Sequence, residues 1–217
     1  MSVRLSSRSG MAIIVCLLYQ LLTSDVTWAD SPVVRRSQML MGTLVFVTSV
    51  AEDEVSAQRA AQAAFYEIQR LEELLSTWIP SSELSRVNAA AGREPVPLSA
   101  ETVYVLTRSL EIAALTDGGF NIVLGPAVRL WNVTERFEPP EQSDLAKVRP
   151  LIDLSALSVD HTRKTALLKR VGMQVDVGGI AKGFAADQAV EAMRAAGATA
   201  GVVALSGDIK TLSLIHI

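Results

Sequence analysis

The sequence predicts an α+β fold in which a mixed or antiparallel sheet is covered by helices. Leu44–Val50 is rich in Val and has the composition of a strand, and Ala57–Leu75 has the apolar periodicity of a helix. Further along, strand-like and helix-like segments are interspersed without the strict alternation of a doubly wound sheet. With 49% hydrophobic and 20% charged residues, this 217-residue chain is not a disordered protein.

The first elements follow from local composition. We interpret Ser31–Leu40 as a linker into the domain, because it contains a proline and two arginines. Met41-Gly42-Thr43 then opens the first strand. In the following helix, Ala61, Phe65 and Ile68 recur at steps of three and four residues, so we expect one apolar stripe to pack on a sheet.

The middle of the chain contains a second helix between polar segments. Ser81–Ala91 is polar and predicts turns. Ser99 stands where an N-cap is favoured, and the helix after it continues to Leu115 and ends at Asp117-Gly118-Gly119. Thr134–Pro150 is again polar and contains two consecutive prolines.

The last third predicts short strands around a third helix. This helix is rich in alanine and is followed by Gly197, a residue type favoured just after a helix C-terminus. The strands or strand ends are Leu151–Val159, Thr165–Leu168, Met173–Val177 and Thr199–Leu205, and the helix is Ile180–Ala196.

Residues 1–29 predict a secretory signal peptide. Arg4 and Arg8 precede an apolar core, Met11–Leu22, that is too short to span a bilayer comfortably, and Ala29 ends a small-residue cleavage site. An uncleaved membrane anchor is the alternative. We expect no lipoprotein, because Val15 stands where such a signal needs a small residue before its cysteine. Residues 30–217 would then form an exported, periplasmic domain.

Charge and cysteine content exclude several classes of function. A net charge of −3 argues against a nucleic-acid-binding protein, which usually has a basic surface. The one cysteine, Cys16, lies in the predicted signal, so a disulfide framework and a cysteine-based zinc site are excluded. His161 and His216 are isolated, and the sequence contains no G-x-S-x-G motif of a hydrolase.

The strongest local indication of chemistry lies between Val175 and Asp187. A predicted strand leads into Gly178-Gly179, and the helix after it has Lys182 in its first turn. Glycines let a phosphate approach the backbone, N–H groups at a helix start point toward it, and a lysine adds positive charge. The spacing matches neither a Walker A loop nor G-x-G-x-x-G, and a tight turn with an exposed lysine explains it equally well. Asp176 is either an acceptor for a nucleotide or a turn residue.

Two other segments are candidates for contact with a planar ligand. Trp78 follows a helix end, where an aromatic side chain either stacks on a ligand ring or packs in the core. Gly118-Gly119-Phe120-Asn121, with Gly125-Pro126 after it, either lines a ligand or is a structural crossing.

Five motifs occur in the order that they have in one family of enzymes. They are Met41-Gly42-Thr43; Leu75–Trp78 with Ser82–Leu84 and Asn88; Thr116–Phe120 with Gly125-Pro126 and Leu130-Trp131; Asp176–Gly183 with Ala186-Asp187; and Ser206–Ile209. From about Gln38 to Ile209 the chain resembles the ApbE-type FAD:protein FMN transferases.

The resemblance implies an ApbE-like fold, related to the T-fold, and a Mg²⁺-dependent reaction. Enzymes of this family split FAD, transfer FMN to a Thr or Ser hydroxyl of a target protein through a phosphodiester, and release AMP. The implied partners are FAD, an acceptor flavoprotein subunit and, through that subunit, a membrane-associated redox complex.

The resemblance also implies roles for individual residues. Lys182 would be catalytic, near the pyrophosphate, and the main chain of Gly179 would supply one Mg²⁺ ligand. Many members have Asp at the position of Asn121, so an amide replaces a carboxylate here. The implied FAD contacts are Met41, Trp78, Gly119, Phe120, Asn121, Asp176 and Lys182.

The family pattern continues beyond the position of Ile217, and residues 211–217 do not follow it. We therefore expect a C-terminally truncated chain that lacks a complete metal site and is inactive, with a foreign tail; a naturally shorter protein is the alternative. Two other functions stay open, a non-catalytic FAD-binding fragment and a Mg²⁺-dependent FAD pyrophosphatase that releases AMP and FMN to water.

Overall fold

Four antiparallel strands form the main sheet. The computed structural model describes residues 31–132, 134–135 and 137–212. The strands are β1 (Val33–Leu40), β2 (Thr43–Val50), β6 (Ala200–Leu205) and β7 (Asp208–Leu212), in the order β1-β2-β6-β7. All three pairings are antiparallel.

A smaller antiparallel sheet and six α-helices complete the described part of the chain. The smaller sheet has the order β3-β5-β4, with β3 at Val96–Pro97, β4 at Leu157–Asp160 and β5 at Thr165–Leu168. The helices are α1 (Glu54–Leu75), α2 (Glu83–Ala89), α3 (Ala100–Leu115), α4 (Gly125–Trp131), α5 (Gln142–Val148) and α6 (Ala181–Ala195), with 3₁₀ turns at Ile122–Leu124, Arg149–Leu151 and Leu154–Ala156. The α+β prediction is confirmed.

The core lies between the main sheet and the two helices α1 and α6. Alternate residues of the central strands, such as Val45 on β2 and Val203 on β6, are buried and point to the helices, as a two-residue repeat requires. The predicted stripe of α1, including Phe65 and Ile68, is buried against them. Helices α1 and α6 pack on each other and on the sheet.

Two tight hairpins lie at the same end of the main sheet. Met41 and Gly42 connect β1 to β2 with φ of 50° and 69°, and Ser206 and Gly207 connect β6 to β7 with φ of 53° and 110°. Positive φ at both positions is what two-residue type I′ hairpins need. Because Val45 of β2 pairs with Leu205 of β6, both turns face the same side of the molecule.

The ends of α3 and α6 agree with the sequence predictions, whereas α1 begins at Glu54, three residues before the predicted Ala57. The Ser99 side chain caps α3 by accepting from the N–H of Thr102, and Asp117 at φ 50° ends that helix. Asp53 caps α1, and hydrogen bonds from the backbone N–H and hydroxyl of Ser56 lower the pKa of its carboxyl. Gly197 follows α6 with φ 100°.

Three segment predictions are wrong, and a fourth, the strand Leu151–Val159, holds only from Leu157, where β4 begins. Ser31–Leu40 is not a linker, because Val33–Leu40 pairs with β2 along its whole length. Ser81–Ala91 contains helix α2, which is short but buries Leu84 and Val87. Met173–Val177 belongs to no strand, although its odd-numbered residues are buried as in a strand.

The signal-peptide prediction and most of the doubtful tail lie outside the described residues. Residues 1–30 and 213–217 lie outside the described residues. Thr211 and Leu212 lie inside them, at the end of β7. Cleavage, export and the foreign tail therefore stay predictions. Among the described residues, none of the helices combines the length and apolar character needed to cross a bilayer.

Candidate functional site

A cavity of about 390 Å³ opens beside the β1–β2 turn. Its volume lies within the range of small-molecule sites. The cavity has two walls. The inner wall consists of the lining residues between Asp176 and Lys182, and the outer wall consists of Met41, Gly42 and residues 75–79. Met41, Trp78, Asp176 and Lys182, four of the predicted site residues, thus meet in one cavity.

The inner wall begins at a tightly hydrogen-bonded turn. The N–H of Asp176 donates to the carbonyl of Ile122 at 2.7 Å, and its Oδ1 accepts from the N–H of Gly178 at 2.8 Å. The other carboxylate oxygen of Asp176 has no partner in the described part of the chain. Asp176 is therefore a turn residue that also lines the cavity and keeps one free acceptor, so the two interpretations made from sequence are compatible.

The start of α6 gives the inner wall a positive character. No side chain caps this helix, whose N-cap residue is Ile180. The N–H groups of Ile180 and Ala181 donate to the carbonyl of Val177, so the groups that favour an anion at this position are the N–H groups of the following residues and the helix dipole. Lys182 is half-buried on the cavity, and among residues 31–132, 134–135 and 137–212 it has no ion-pair partner within 4 Å. The arrangement suits a phosphate group better than an uncharged ligand.

The outer wall contains a strained residue and an exposed ring. Met41 has a positive φ, which is unusual for a bulky side chain, and its N–H donates to Oε1 of Glu72 at 2.8 Å. The Trp78 side chain is 82% exposed, which excludes core packing and leaves its indole ring available for stacking on a ligand.

Gly119, Phe120 and Asn121 lie next to the inner wall but do not line the cavity. The Phe120 ring packs over Gly179, where a Cβ atom would come within 3.1 Å of its Cε2. Asn121 Oδ1 accepts from the N–H of Val123 at 2.8 Å and so caps the 3₁₀ turn. An aspartate at this position would accept the same hydrogen bond. The cap therefore works with the neutral amide of Asn121 as well as with a carboxylate. As FAD contacts these three residues stay predictions.

No set of Mg²⁺ ligands is identified among the described residues. The Gly178-Gly179 backbone is exposed, which suits a main-chain ligand. However, within residues 31–132, 134–135 and 137–212 no group of three or more His, Cys, Asp or Glu side chains could hold a metal ion. Mg²⁺ commonly uses only one or two carboxylates together with water and substrate phosphates, so its ligands stay a prediction. No step is therefore assigned to a metal.

Sequence reasoning assigned no role to Glu72 or to Asn88. Glu72 lines the cavity and holds the Met41 turn. The sequence feature that could have pointed to Glu72 is its position beside the buried Leu71, on the otherwise apolar stripe of α1. Asn88 was part of a motif, and its two hydrogen bonds to the backbone of Val175 become visible only in the structure.

Curated proteins similar to this chain carry one function name. A protein of Klebsiella pneumoniae named FAD:protein FMN transferase is 30% identical over 187 residues, which cover 85% of this chain and 57% of that protein. A protein of Treponema pallidum with the same name is 33% identical, covering 82% of this chain and 51% of that protein. The chain thus spans about half the length of the curated relatives it matches.

Solved structures have the same fold. The flavin transferase ApbE from Vibrio cholerae superimposes with a TM-score of 0.77 at 23% identity, covering 86% of this chain and 61% of that chain. The ApbE protein from Thermotoga maritima gives a TM-score of 0.76 at 22% identity, covering 83% and 59%. In addition, residues 41–215 match the ApbE family. Since this match extends over most of the sequence and includes both walls of the cavity, the chain belongs to the ApbE family.

Proposed function

We propose that the protein transfers FMN from FAD to a hydroxyl group of an acceptor protein, and that the described residues bind the FAD. The observation that carries the proposal is the convergence of Met41, Trp78, Asp176 and Lys182 on one cavity. These residues come from segments far apart in the chain, and each belongs to a motif that led to the family. The curated relatives named FAD:protein FMN transferase support the same activity.

Each wall suits one part of FAD. The uncapped start of α6 and the Lys182 ammonium group would bind the pyrophosphate. The free oxygen of Asp176 would accept a hydrogen bond from the nucleotide. On the outer wall, the exposed Trp78 ring would stack on a planar ring of the ligand.

The proposed reaction exchanges one phosphorus–oxygen bond for another. The hydroxyl oxygen of a Thr or Ser of the acceptor bonds to the FMN phosphorus, and the bond from this phosphorus to the bridging oxygen breaks. AMP leaves with the bridging oxygen, and the hydroxyl proton passes to a base. Lys182 compensates the negative charge that develops on the pyrophosphate in the transition state. Mg²⁺ dependence remains part of the proposal without residues assigned to it.

The test combines binding with transfer. The purified protein is titrated with FAD by calorimetry, then incubated with FAD, Mg²⁺ and a candidate acceptor, and flavin fluorescence is read in a denaturing gel while AMP is quantified. Covalent fluorescence on the acceptor with equimolar AMP is the result expected of the transferase, and it would contradict the expectation from sequence that the 217-residue chain is inactive. AMP without labelled acceptor would indicate the pyrophosphatase, binding without AMP would indicate a non-catalytic module, and absence of FAD binding would contradict the proposal.

We also propose that residues 1–29 direct export and are removed. The basic start, the short apolar core and the small residues before Asp30 support this. Cell fractionation followed by N-terminal sequencing of the mature protein tests it. A mature N-terminus at Asp30 in the periplasmic fraction is expected, and an intact Met1 would contradict cleavage.

A further inference from the structure

We propose that Asn88 is a positioning residue for FAD binding, which acts by fixing the peptide groups on either side of Val175, the residue directly before Asp176. The inference rests on the proposed function, because the position of Asp176 matters through the nucleotide that it would contact. It concerns a residue that lies outside the cavity lining and reaches the ligand only through Asp176.

The Asn88 side chain pairs with Val175 as a neighbouring strand would. Its Oδ1 accepts from the N–H of Val175 at 2.7 Å, and its Nδ2 donates to the carbonyl of Val175 at 3.0 Å. An amide is suited to this double contact because it offers one acceptor and two donors from a single planar group. Asn88 thus satisfies both polar groups of a buried residue that is 87 positions away in the sequence.

The opposite edge of the same segment is held by another part of the chain. The N–H of Asp176 donates to Ile122, and the carbonyl of Gln174 accepts from the N–H of Gly125 at 3.2 Å. In extended backbone, the polar groups of successive residues point to opposite edges. Residues 174–176 are therefore fixed on both edges, and the Asp176 side chain leaves the backbone between them.

This arrangement explains why Met173–Val177 has a strand pattern but is not a strand. Met173, Val175 and Val177 are buried, and the two residues between them are half-buried. The pattern is that of an extended segment. Its hydrogen-bond partners are a side-chain amide and a short helical turn, so no strand ladder is formed.

Helix α2, which carries Asn88, is itself anchored at its N-terminus. The Ser82 hydroxyl donates to the carbonyl of Ser76, directly after α1, and accepts from the N–H of Ser85. The Glu83 carboxylate accepts from the N–H of Ser99 at 2.9 Å and from its hydroxyl at 2.8 Å, at the start of α3. Asn88 is therefore presented from a helix that two longer helices hold in place.

Removal of the amide leaves the N–H and carbonyl of Val175 without these partners in a buried position. Because unpaired buried polar groups are unfavourable, the segment is expected to shift, and FAD binding should weaken by about tenfold. Because Asn88 does not line the cavity, the proposal assigns this effect to Asp176, the lining residue next to Val175.

A double-mutant cycle tests this route. FAD affinity is measured by calorimetry for wild type, Asn88→Ala, Asp176→Ala and the double variant. We expect Asn88→Ala to weaken binding by about tenfold in wild type and to have no further effect in the Asp176→Ala protein. Equal losses in both backgrounds, or unchanged affinity in wild type, would overturn the proposal. If Asn88→Ala does not fold, Asn88→Asp, which keeps the acceptor, takes its place.

Amide hydrogen exchange provides a readout that does not need FAD. Asn88→Ala is expected to accelerate exchange at Val175 by at least about tenfold, while Arg86→Ala, an exposed change on the same helix, has no effect. Unchanged protection at Val175 would refute the positioning role. Absence of FAD binding by wild type would instead contradict the proposed function, and the exchange result would still decide whether Asn88 holds the segment.

Discussion

The two walls of the cavity are built in opposite ways. Behind the inner wall the backbone is so close that a Cβ atom on Gly125 would lie 2.6 Å from the Cβ of Gln174 and 2.7 Å from its carbonyl oxygen. On the outer wall, a Cβ atom on Gly42 would meet nothing within 4 Å, and Trp78 is exposed. A close-packed wall fixes polar groups, whereas the exposed side chains of an open wall remain available to a ligand.

We expect the largest effect from Gly125→Ala. The methyl group collides with the backbone of Gln174, so the free energy of unfolding should fall by roughly 2–3 kcal/mol. FAD affinity should fall at least about tenfold, because the shift reaches Asp176. Denaturant unfolding and calorimetry measure the two effects. Gly42→Ala is the matched control, because its methyl group causes only backbone strain of about 1 kcal/mol. Equal losses of stability and FAD affinity in the two variants would contradict the difference between the walls.

Lys182→Ala should separate binding from stability on the inner wall. Loss of a charge-assisted contact to the pyrophosphate is expected to weaken FAD binding by roughly 10- to 100-fold and to reduce its salt dependence. Calorimetry at two ionic strengths measures this. The control is Lys210→Ala, because Lys210 does not line the cavity. Its ammonium group pairs at 2.8 Å with Asp187 on α6, the helix that also carries Lys182, and this pairing raises the pKa of Lys210. Unchanged affinity of Lys182→Ala would remove this residue from the site.

Trp78→Ala tests the outer wall. Loss of ring stacking is expected to weaken FAD binding by about tenfold, while the unfolding free energy changes by less than about 0.5 kcal/mol because the side chain is exposed. Trp78→Phe should retain most of the affinity. Tyr66→Ala removes another exposed aromatic ring, on α1 away from the cavity, and should leave binding unchanged. A large stability loss in Trp78→Ala would show that the outer wall is structural.

Glu72→Ala should have a smaller effect on binding, of about threefold. The Met41 turn loses its acceptor, so the outer wall becomes less ordered. Glu72→Gln keeps an oxygen for the N–H of Met41 and should restore the affinity. Glu73→Ala, an exposed neighbour outside the lining, serves as control. Equal affinities of Glu72→Ala and wild type would mean that the turn needs no carboxylate.

The smallest effect is expected far from both walls, at Asp53. Its pKa is lowered in the folded protein by the backbone N–H and hydroxyl of Ser56. The charged form therefore contributes stability above its unfolded pKa of about 3.9, and this contribution is lost as the pH falls through the lower, folded value. The Tm difference between wild type and Asp53→Asn should shrink over this range. FAD affinity at neutral pH should be equal in both, and a difference would link α1 capping to the cavity.

Local chemistry made much of the fold predictable. The helices α1, α3 and α6 were predicted from apolar periodicity and from capping residues such as Ser99 and Gly197, which act within one turn of chain. The prediction failed at β1 and α2. Both have polar or charged sequences, and each is stabilised by contacts with distant segments, β1 by pairing with β2 and α2 by its buried Leu84 and Val87.

The sequence by itself determined the family and the motif residues Met41, Trp78, Asp176 and Lys182, which line one cavity, because motif order is written in neighbouring residues. Only the tertiary structure decided that Trp78 is exposed, that Glu72 holds the Met41 turn and that Asn88 pairs with Val175. These contacts join residues that are far apart in the chain, and hydrogen bonds of that kind depend on the packing of whole elements, which no local pattern encodes.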